Sequence, residues 1–318
     1  MQARTREWLA THGHTHEDFT AEGLVDRLSG AGERVSVVIP ARDEGATVGA
    51  VVSSLRRDLV DAVPLVHELV VIDSDSTDDT GAIALEAGAV VHRCRDIAPH
   101  LGTHPGKGEA LWKSLFVTSG ELLVFVDADL TAWGPHFVTG LVGALTADPA
   151  TLLVKGWYDR VLEREGQPRS TEGGRVTELV ARPVLDLWWP ELAGVVQPLA
   201  GEWAARRSLM ESIHVPTGYG VEIASLIDAH ARRGLDAIAQ VDLGARAHRH
   251  QKDHDLAVMA AELLAVVHGR GAWGTGAVDV PARELHQFTR EDGWRTRDVP
   301  LVQRPPAREC DGYPGGAG

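Results

Sequence analysis

The chain has 318 residues, with 31 Lys and Arg against 45 Asp and Glu, a formal charge of −14 at pH 7. Hydrophobic residues at 44% and charged residues at 24% exclude a disordered chain, a collagen-like repeat and a coiled coil, and the length suffices for one large α/β domain or two smaller ones. The acidic balance argues against nucleic acid or an anionic membrane as a partner, and an anionic substrate would need local cations that override the field of the whole molecule.

Residues 1–33 read as an amphipathic arm in which Trp8, Leu9, Phe19, Leu24, Val25 and Leu28 punctuate a polar, His-rich stretch. The arm lacks the apolar core of a secretory signal, and the longest apolar runs, such as 122–126, are far too short for a membrane span. Cys94 and Cys310 are too few for a disulfide framework or a Cys-based zinc site, so a cytoplasmic setting is expected. Residues 35–39, 69–72, 89–91 and 122–126 are apolar runs, with helical patterns between them near 45–58, 77–87 and 107–119. This alternation predicts an α/β fold: a Rossmann-like, mostly parallel sheet covered by helices on both faces. Farther on, 152–155 reads as a strand, 172–189 as a long helix, 220–233 as a helix, 237–241 as a strand and 253–268 as a helix. After Gly269 the chain is rich in Gly, Pro and Arg, and its Gly-Tyr-Pro-Gly-Gly-Ala-Gly end reads as a loose tail. One catalytic domain in two halves is expected, a nucleotide half at 34–150 and an acceptor half at 151–270, between the arm and an extension at 271–318.

Parallel sheets bind ligands at the carboxyl ends of their strands, so the residues after each apolar run carry the chemistry. Pro40-Ala41-Arg42-Asp43-Glu44 follows the first run, without the glycines that bring backbone against a dinucleotide. Asp73-Ser74-Asp75-Ser76-Thr77-Asp78-Asp79-Thr80 follows the second. Its acceptors suit a nucleoside, Thr77 or Ser76 is expected to cap the next helix, and a solvated capping box is the plainer reading. Asp127-Ala128-Asp129 follows the fourth, an Asp-x-Asp pair costly at a strand end unless it holds a cation such as Mg²⁺ or Mn²⁺. Its plainer reading is an acidic turn. Lys107, between Gly106 and Gly108 at a helix start, suits a phosphate; the alternative is a surface lysine in a mobile turn.

Together these pieces resemble the nucleotide-sugar glycosyltransferases of the GT-A fold. Pro-Gly-Lys-Gly-Glu-Ala-Leu-Trp (105–112), Gly-Gly-Arg-Val-Thr-Glu-Leu-Val-Ala-Arg-Pro (173–183), Gln-Pro-Leu-Ala-Gly-Glu (197–202), Gly-Tyr-Gly-Val-Glu-Ile (218–223) and Arg-Ala-His-Arg (246–249) narrow the resemblance to the glucosyl-3-phosphoglycerate synthases, a group that includes makers of the mannosyl analogue. The similarity covers roughly 35–268. It implies that Pro40, Ala41, Glu44 and Ser74 hold uridine, with Lys107, Asp127 and Ala128 completing the nucleotide site. It assigns Asp129 and His248 to a divalent metal, Mg²⁺ or Mn²⁺, and Tyr219, Gly220, Val221 and Glu222 to the donor sugar. Gly174, Arg175 and Thr177 match the part that holds 3-phosphoglycerate, and the residue types agree, since helix-start amides, a hydroxyl and a guanidinium suit an anion. His250 stands where the family often has an asparagine near the acceptor, which opens a pH-dependent acceptor affinity.

The resemblance implies a retaining, metal-dependent transfer of glucose from UDP-glucose to the 2-hydroxyl of D-3-phosphoglycerate. Asp129, Glu222 and Lys107 are the expected catalytic residues. Glu222 as a group on the sugar face and a front-side route assisted by the leaving phosphate both fit. GDP-mannose as donor is the nearest alternative. More distant ones are a haloacid-dehalogenase-type phosphotransferase, suggested by Asp127-Ala128-Asp129-Leu130-Thr131, and a nucleotide-sugar binder without turnover. The segment 185–189 and the arm suit a homodimer.

Overall fold

The computed structural model describes residues 2–161, 174–247, 253–271, 284–289, 293–299 and 301–314. Its strands are β1 (Gly13–Thr15), β2 (Val35–Ala41), β3 (Glu68–Asp73), β4 (Val90–Arg93), β5 (Leu122–Phe125), β6 (Leu153–Val161), β7 (Trp203–Arg206), β8 (Val215–Pro216), β9 (Ile238–Ala247), β10 (Glu284–Thr289), β11 (Gly293–Asp298) and β12 (Gln303–Arg304). Eight of them form one sheet in the order β1-β9-β6-β7-β5-β2-β3-β4. All neighbours run parallel except β7, which is antiparallel to both β5 and β6. β10 pairs with β11 and β8 with β12 in two small antiparallel ribbons.

The helices are α1 (Ala3–His12), α2 (Ala21–Ala31), α3 (Val48–Arg56), α4 (Thr80–Glu86), α5 (Lys107–Ser114), α6 (His136–Ala147), α7 (Arg182–Trp188), α8 (Arg207–Met210), α9 (Val221–Arg233) and α10 (Asp253–Arg270). Successive side chains of a strand face opposite sides, and the central strands are apolar on both. Val37 and Ile39 of β2 pack with Leu24 of α2, Val51 of α3 and Leu141 of α6. Val38 packs on the other face with Leu111 of α5, Ile223 of α9 and Leu263 of α10. This is the doubly covered, mostly parallel sheet that the alternating pattern predicts, and it agrees with the GT-A fold that the resemblance implies.

Several elements depart from expectation. β7 has no counterpart in the apolar pattern, because Trp203-Ala204-Ala205-Arg206 is short and built on two alanines. α6 is buried along nearly its whole length, so it lacks the polar face that marks a helix in sequence. The expected helix at 172–189 is helical from Arg175 to Trp188, with a π-helical widening at Thr177–Ala181 before α7; Glu172 and Gly173 lie outside the described residues. The strand expected at 237–241 runs on to Ala247. The N-terminal residues are woven into the sheet: β1 pairs in parallel with β9, and Trp8, 2% exposed, donates its indole N–H to the Ile238 carbonyl at 2.8 Å. Tyr313, in the end that composition reads as loose, is buried, and its hydroxyl donates to Glu211 at 2.9 Å.

Trp8→Ala is expected to lower the unfolding free energy by about 3–5 kcal/mol, the cost of emptying a large buried aromatic site. Chemical denaturation measures this, and a loss below about 1 kcal/mol would place residues 3–12 outside the cooperative fold.

Candidate active site

β2, β3 and β5 end at the same edge of the sheet, and the chain segments that follow them build the site. Ala41 pairs with Asp73 in register, and the Ser74 amide donates to the Ala41 carbonyl at 2.8 Å, which sets Pro40, Ala41 and Ser74 on adjacent strand ends. Side chains then knit the two loops together. Asp43 Oδ1 accepts the Thr77 amide at 2.7 Å, the Asp43 amide donates to Ser76 Oγ at 3.0 Å, and Glu44 donates its amide to Thr80 Oγ1 at 2.8 Å. Hydrogen bonds from the Thr77 amide and hydroxyl hold the Asp43 carboxyl below its ordinary value. Asp43 and Asp75 both adopt positive φ, 56° and 58°, which aspartate tolerates better than most residues. The expected cap on the next helix is corrected. Ser76 and Thr77 are both engaged with Asp43, and Asp78 instead accepts the Thr80 amide at 3.0 Å and the Gly45 amide at 3.1 Å.

Asp127 follows β5, and because β7 is antiparallel its start lies beside that end. Phe125 pairs with Trp203, and Gly201 sits so close that a Cβ there would lie 2.0 Å from Asp127 Oδ2. Only glycine fits. Lys107, the first residue of α5, reaches the same carboxylate, with Nζ 2.6 Å from Asp127 Oδ1 and 2.9 Å from Glu222 Oε1 in the first turn of α9. The starts of α5 and α9 are held together by backbone: Gly108 donates to the Gly218 carbonyl at 3.2 Å and Glu109 to Thr217 at 2.9 Å. A Cβ at position 108 would lie 1.8 Å from the Pro216 carbonyl oxygen, which explains the glycine there. Two helix N-termini, each the positive end of its dipole, thus converge on Lys107.

Burial by itself would push the Lys107 ammonium down, but the Asp127 and Glu222 carboxylates outweigh it and hold the group above its ordinary value. Lys155 on β6 has no such pair among the described residues. Burial pushes it down to about 7, against the pull of Glu222, and its ammonium donates to the Ala200 carbonyl at 2.8 Å beneath the segment that carries Gly201. Glu262 on α10 accepts the Tyr219 amide at 2.7 Å.

The structure therefore joins Lys107, Asp127 and Glu222 directly, with Tyr219, Gly220 and Val221 at the α9 start and Ala128 buried beside Asp127. Glu44 is half-buried below the loop, and Asp129, two residues beyond Asp127, is half-buried at the turn. Gly174, Arg175 and Thr177 open a separate helical segment. Gly174 has φ 75°, Arg175 is exposed and Thr177 is only 4% exposed. Arg182, on the same segment, donates to the Val196 carbonyl at 2.8 Å and so ties it to the chain that leads to Gly201. His248 and His250 lie outside the described residues; β9 runs out at Ala247 in the same sense as β5. Among the described residues no three His, Cys, Asp or Glu side chains cluster as a metal site, and no helix is long and apolar enough to cross a membrane. Asp127 follows β5 rather than the first strand, contrary to what a haloacid-dehalogenase-type site requires. Sequence reasoning missed Lys155, Glu262 and the loop role of Asp43; only the position of Asp43 at a strand end signalled it.

A mostly parallel sheet with an Asp-x-Asp turn and a lysine at one carboxyl edge defines a nucleotide-sugar glycosyltransferase, and residues 36–198 match the model of glycosyl transferase family 2. The chain belongs to that family, and within it to the glucosyl-3-phosphoglycerate synthases. It is 43% identical over 301 residues to the glucosyl-3-phosphoglycerate synthase of Mycolicibacterium smegmatis, covering 94% of this chain and 96% of that protein. The crystal structure of the Mycobacterium tuberculosis glucosyl-3-phosphoglycerate synthase in complex with Mn²⁺, UDP-glucose and phosphoglyceric acid superposes with a TM-score of 0.79. There the identity is 44%, over 91% of this chain and 93% of that one. Similarity to the mannosylglycerate synthase of Rhodothermus marinus is 31% over 166 residues, only 48% of this chain and 39% of that protein.

Burial pushes the Glu262 carboxyl from 4.5 up to about 7, with the Tyr219 amide pulling the other way and Glu222 adding to the rise. The folded chain holds a proton there that the unfolded chain releases, so this contribution is full below about 4.5 and is lost as pH climbs through about 7. Glu262→Gln removes the titration. Melting temperatures on either side of that window are expected to show the natural chain losing ground to the variant as pH rises, and parallel curves would refute the assignment.

Proposed function

We propose that this chain is a retaining glucosyltransferase that moves glucose from UDP-glucose to the 2-hydroxyl of D-3-phosphoglycerate, giving glucosyl-3-phosphoglycerate and UDP. The observation that carries the reading is the Lys107 ammonium lodged between Asp127 and Glu222 where two helix N-termini meet the end of β5. It supplies a fixed cation for the diphosphate and a carboxylate beside the sugar. Pro40, Ala41, Glu44 and Ser74 hold the uridine, with Asp127 and Ala128 behind it, and Tyr219, Gly220, Val221 and Glu222 line the glucose.

The family resemblance assigns Asp129 of the Asp-x-Asp turn to a metal, with His248 as its second protein ligand. A carboxylate, an imidazole and diphosphate oxygens suit Mn²⁺ or Mg²⁺. When bound, the ion neutralises charge that gathers on the departing diphosphate. In the reaction the bond between the glucose anomeric carbon and the diphosphate oxygen breaks, and a bond to the acceptor's 2-oxygen forms. The acceptor's hydroxyl proton passes to an oxygen of the leaving phosphate on the same face. Lys107 donates to that phosphate, Glu222 accepts hydrogen bonds from glucose hydroxyls, and the helix start at Gly174, Arg175 and Thr177, with His250, grips the phosphoglycerate.

The free thiols of Cys94 and Cys310 support a reducing, cytoplasmic setting. Exposed Leu179 (75%), Leu187 (70%) and Trp188 (44%) on one helical segment support a homodimer that covers them.

Incubation with UDP-glucose, 3-phosphoglycerate and Mn²⁺ is expected to release UDP and form the glucosylated acid; faster turnover with GDP-mannose would overturn the donor assignment. Asp129→Ala is expected to cut metal-dependent UDP release about a hundredfold or more, because several kcal/mol of charge stabilisation goes with the ion; near-normal turnover would remove Asp129 from the metal. Arg175→Ala is expected to raise the KM for 3-phosphoglycerate about tenfold, the exposed setting keeping a charge-assisted contact at the low end of its range. An equal rise in the KM for UDP-glucose would count against that role.

A further inference from the structure

Glu109 stands two residues beyond Lys107 on α5 and is wholly buried. Its partner comes from the far end of the chain. Arg304 meets both carboxylate oxygens with its fork, Nε to Oε2 at 2.7 Å and Nη2 to Oε1 at 2.5 Å. The same guanidinium donates to the carbonyls of Leu101 at 2.7 Å and Gly102 at 3.0 Å, and it lies over the Trp112 ring at 4.7 Å. Glu109 Oε1 also accepts the His104 amide at 3.2 Å. Arg304 thus fastens both sides of the segment Pro105-Gly106-Lys107: the loop that enters it and the helix turn that leaves it.

The backbone around Arg304 holds the other half of the site. β12 pairs with β8, Arg304 lying opposite Val215, and the Thr217 amide donates to the Val302 carbonyl at 3.0 Å. β8 leads directly into Gly218 and the α9 start that bears Glu222. One short C-terminal segment therefore ties together the two chain segments that meet on the Lys107 ammonium. A buried ion pair is a poor source of net stability, because desolvation takes back most of the attraction. What the fork supplies here is geometry. Lysine carries its charge on a flexible four-carbon stem, so an ammonium that must meet two carboxylates and a phosphate needs its helix start fixed.

We infer that Arg304 is a positioning residue of the donor site: gripping Glu109 and the 101–102 carbonyls, it sets Lys107 between Asp127 and Glu222 for the diphosphate. The inference rests on the reading that Lys107 serves the donor. It is tested in the full-length chain with Arg304→Gln, Arg304→Lys and Glu109→Gln, each assayed well below its melting temperature. The readouts are UDP affinity in the presence of Mn²⁺ by titration calorimetry, and kcat and KM for each substrate. Arg304→Gln is expected to weaken UDP binding and raise the KM for UDP-glucose about tenfold while the KM for 3-phosphoglycerate moves less than about twofold. Arg304→Lys, which keeps the charge and loses the fork, falls between the natural chain and Arg304→Gln. The double variant with Glu109→Gln shows no further loss, since both changes break one linkage. Equal rises in both KM values, or a lower melting temperature with UDP affinity unchanged, would overturn the inference. If Arg304→Gln does not fold, Arg304→Lys carries the same comparison of UDP affinity and the two KM values. A natural chain that binds UDP with Mn²⁺ but forms no product would refute the proposed reaction and leave the comparison of UDP affinities intact.

Discussion

An ammonium group buried at a sheet edge is tolerable only while carboxylates neutralise it, and Lys107 needs both Asp127 and Glu222 to stay there. Much of the surrounding structure lets three charged side chains meet at one point. Gly201 leaves room beside Asp127, and Gly108 lets α5 press against the 216–218 backbone. β7 runs against its neighbours, so its start, and Gly201 before it, lies beside the end of β5. One cation between two anions still carries a net negative charge, within a chain of −14. A diphosphate cannot approach such a cluster on coulombic attraction alone. The positive ends of two helices supply part of the compensation, and the divalent ion proposed above would supply the rest.

The site is assembled from more of the chain than the family pattern covers. Residues 36–198 carry the loops after β2 and β3, Lys107 and the Asp-x-Asp turn, yet Gly201, Glu222, Glu262 and Arg304 all stand beyond that stretch. Glu222 reaches Lys107 from the second half, and the segment of β12 ties both together through β8 and Glu109.

The central parallel strands were legible because burial on both faces writes an unbroken apolar run into the sequence, as in 35–39 and 122–126. The strand ends after them were legible for the same reason, and Asp127 and Lys107 stood out there as charged residues, though not as partners of each other. What could not be read is what long-range contact alone creates. α6 is apolar all round and carries Gly140 and Gly143, the second packed against Phe19, so neither period nor propensity marks it as a helix. Arg304 sits in a stretch whose composition suggests loose chain, and its partner is 195 residues away. Nor does any local pattern show that Ser76 and Thr77 turn toward Asp43 rather than cap α4.

The pairing of β1 with β9 has a bearing on how the molecule is made. Gly13 is matched with Gln240, and the indole of Trp8 is bonded to Ile238, 230 residues later. Residues 8–15 leave a ribosome long before residues 238–242 and must wait for them before their place in the sheet exists. Such distant closures slow the search for the native state. Until then Trp8 and its neighbours remain bare apolar surface on the nascent chain, the kind of segment that chaperones bind.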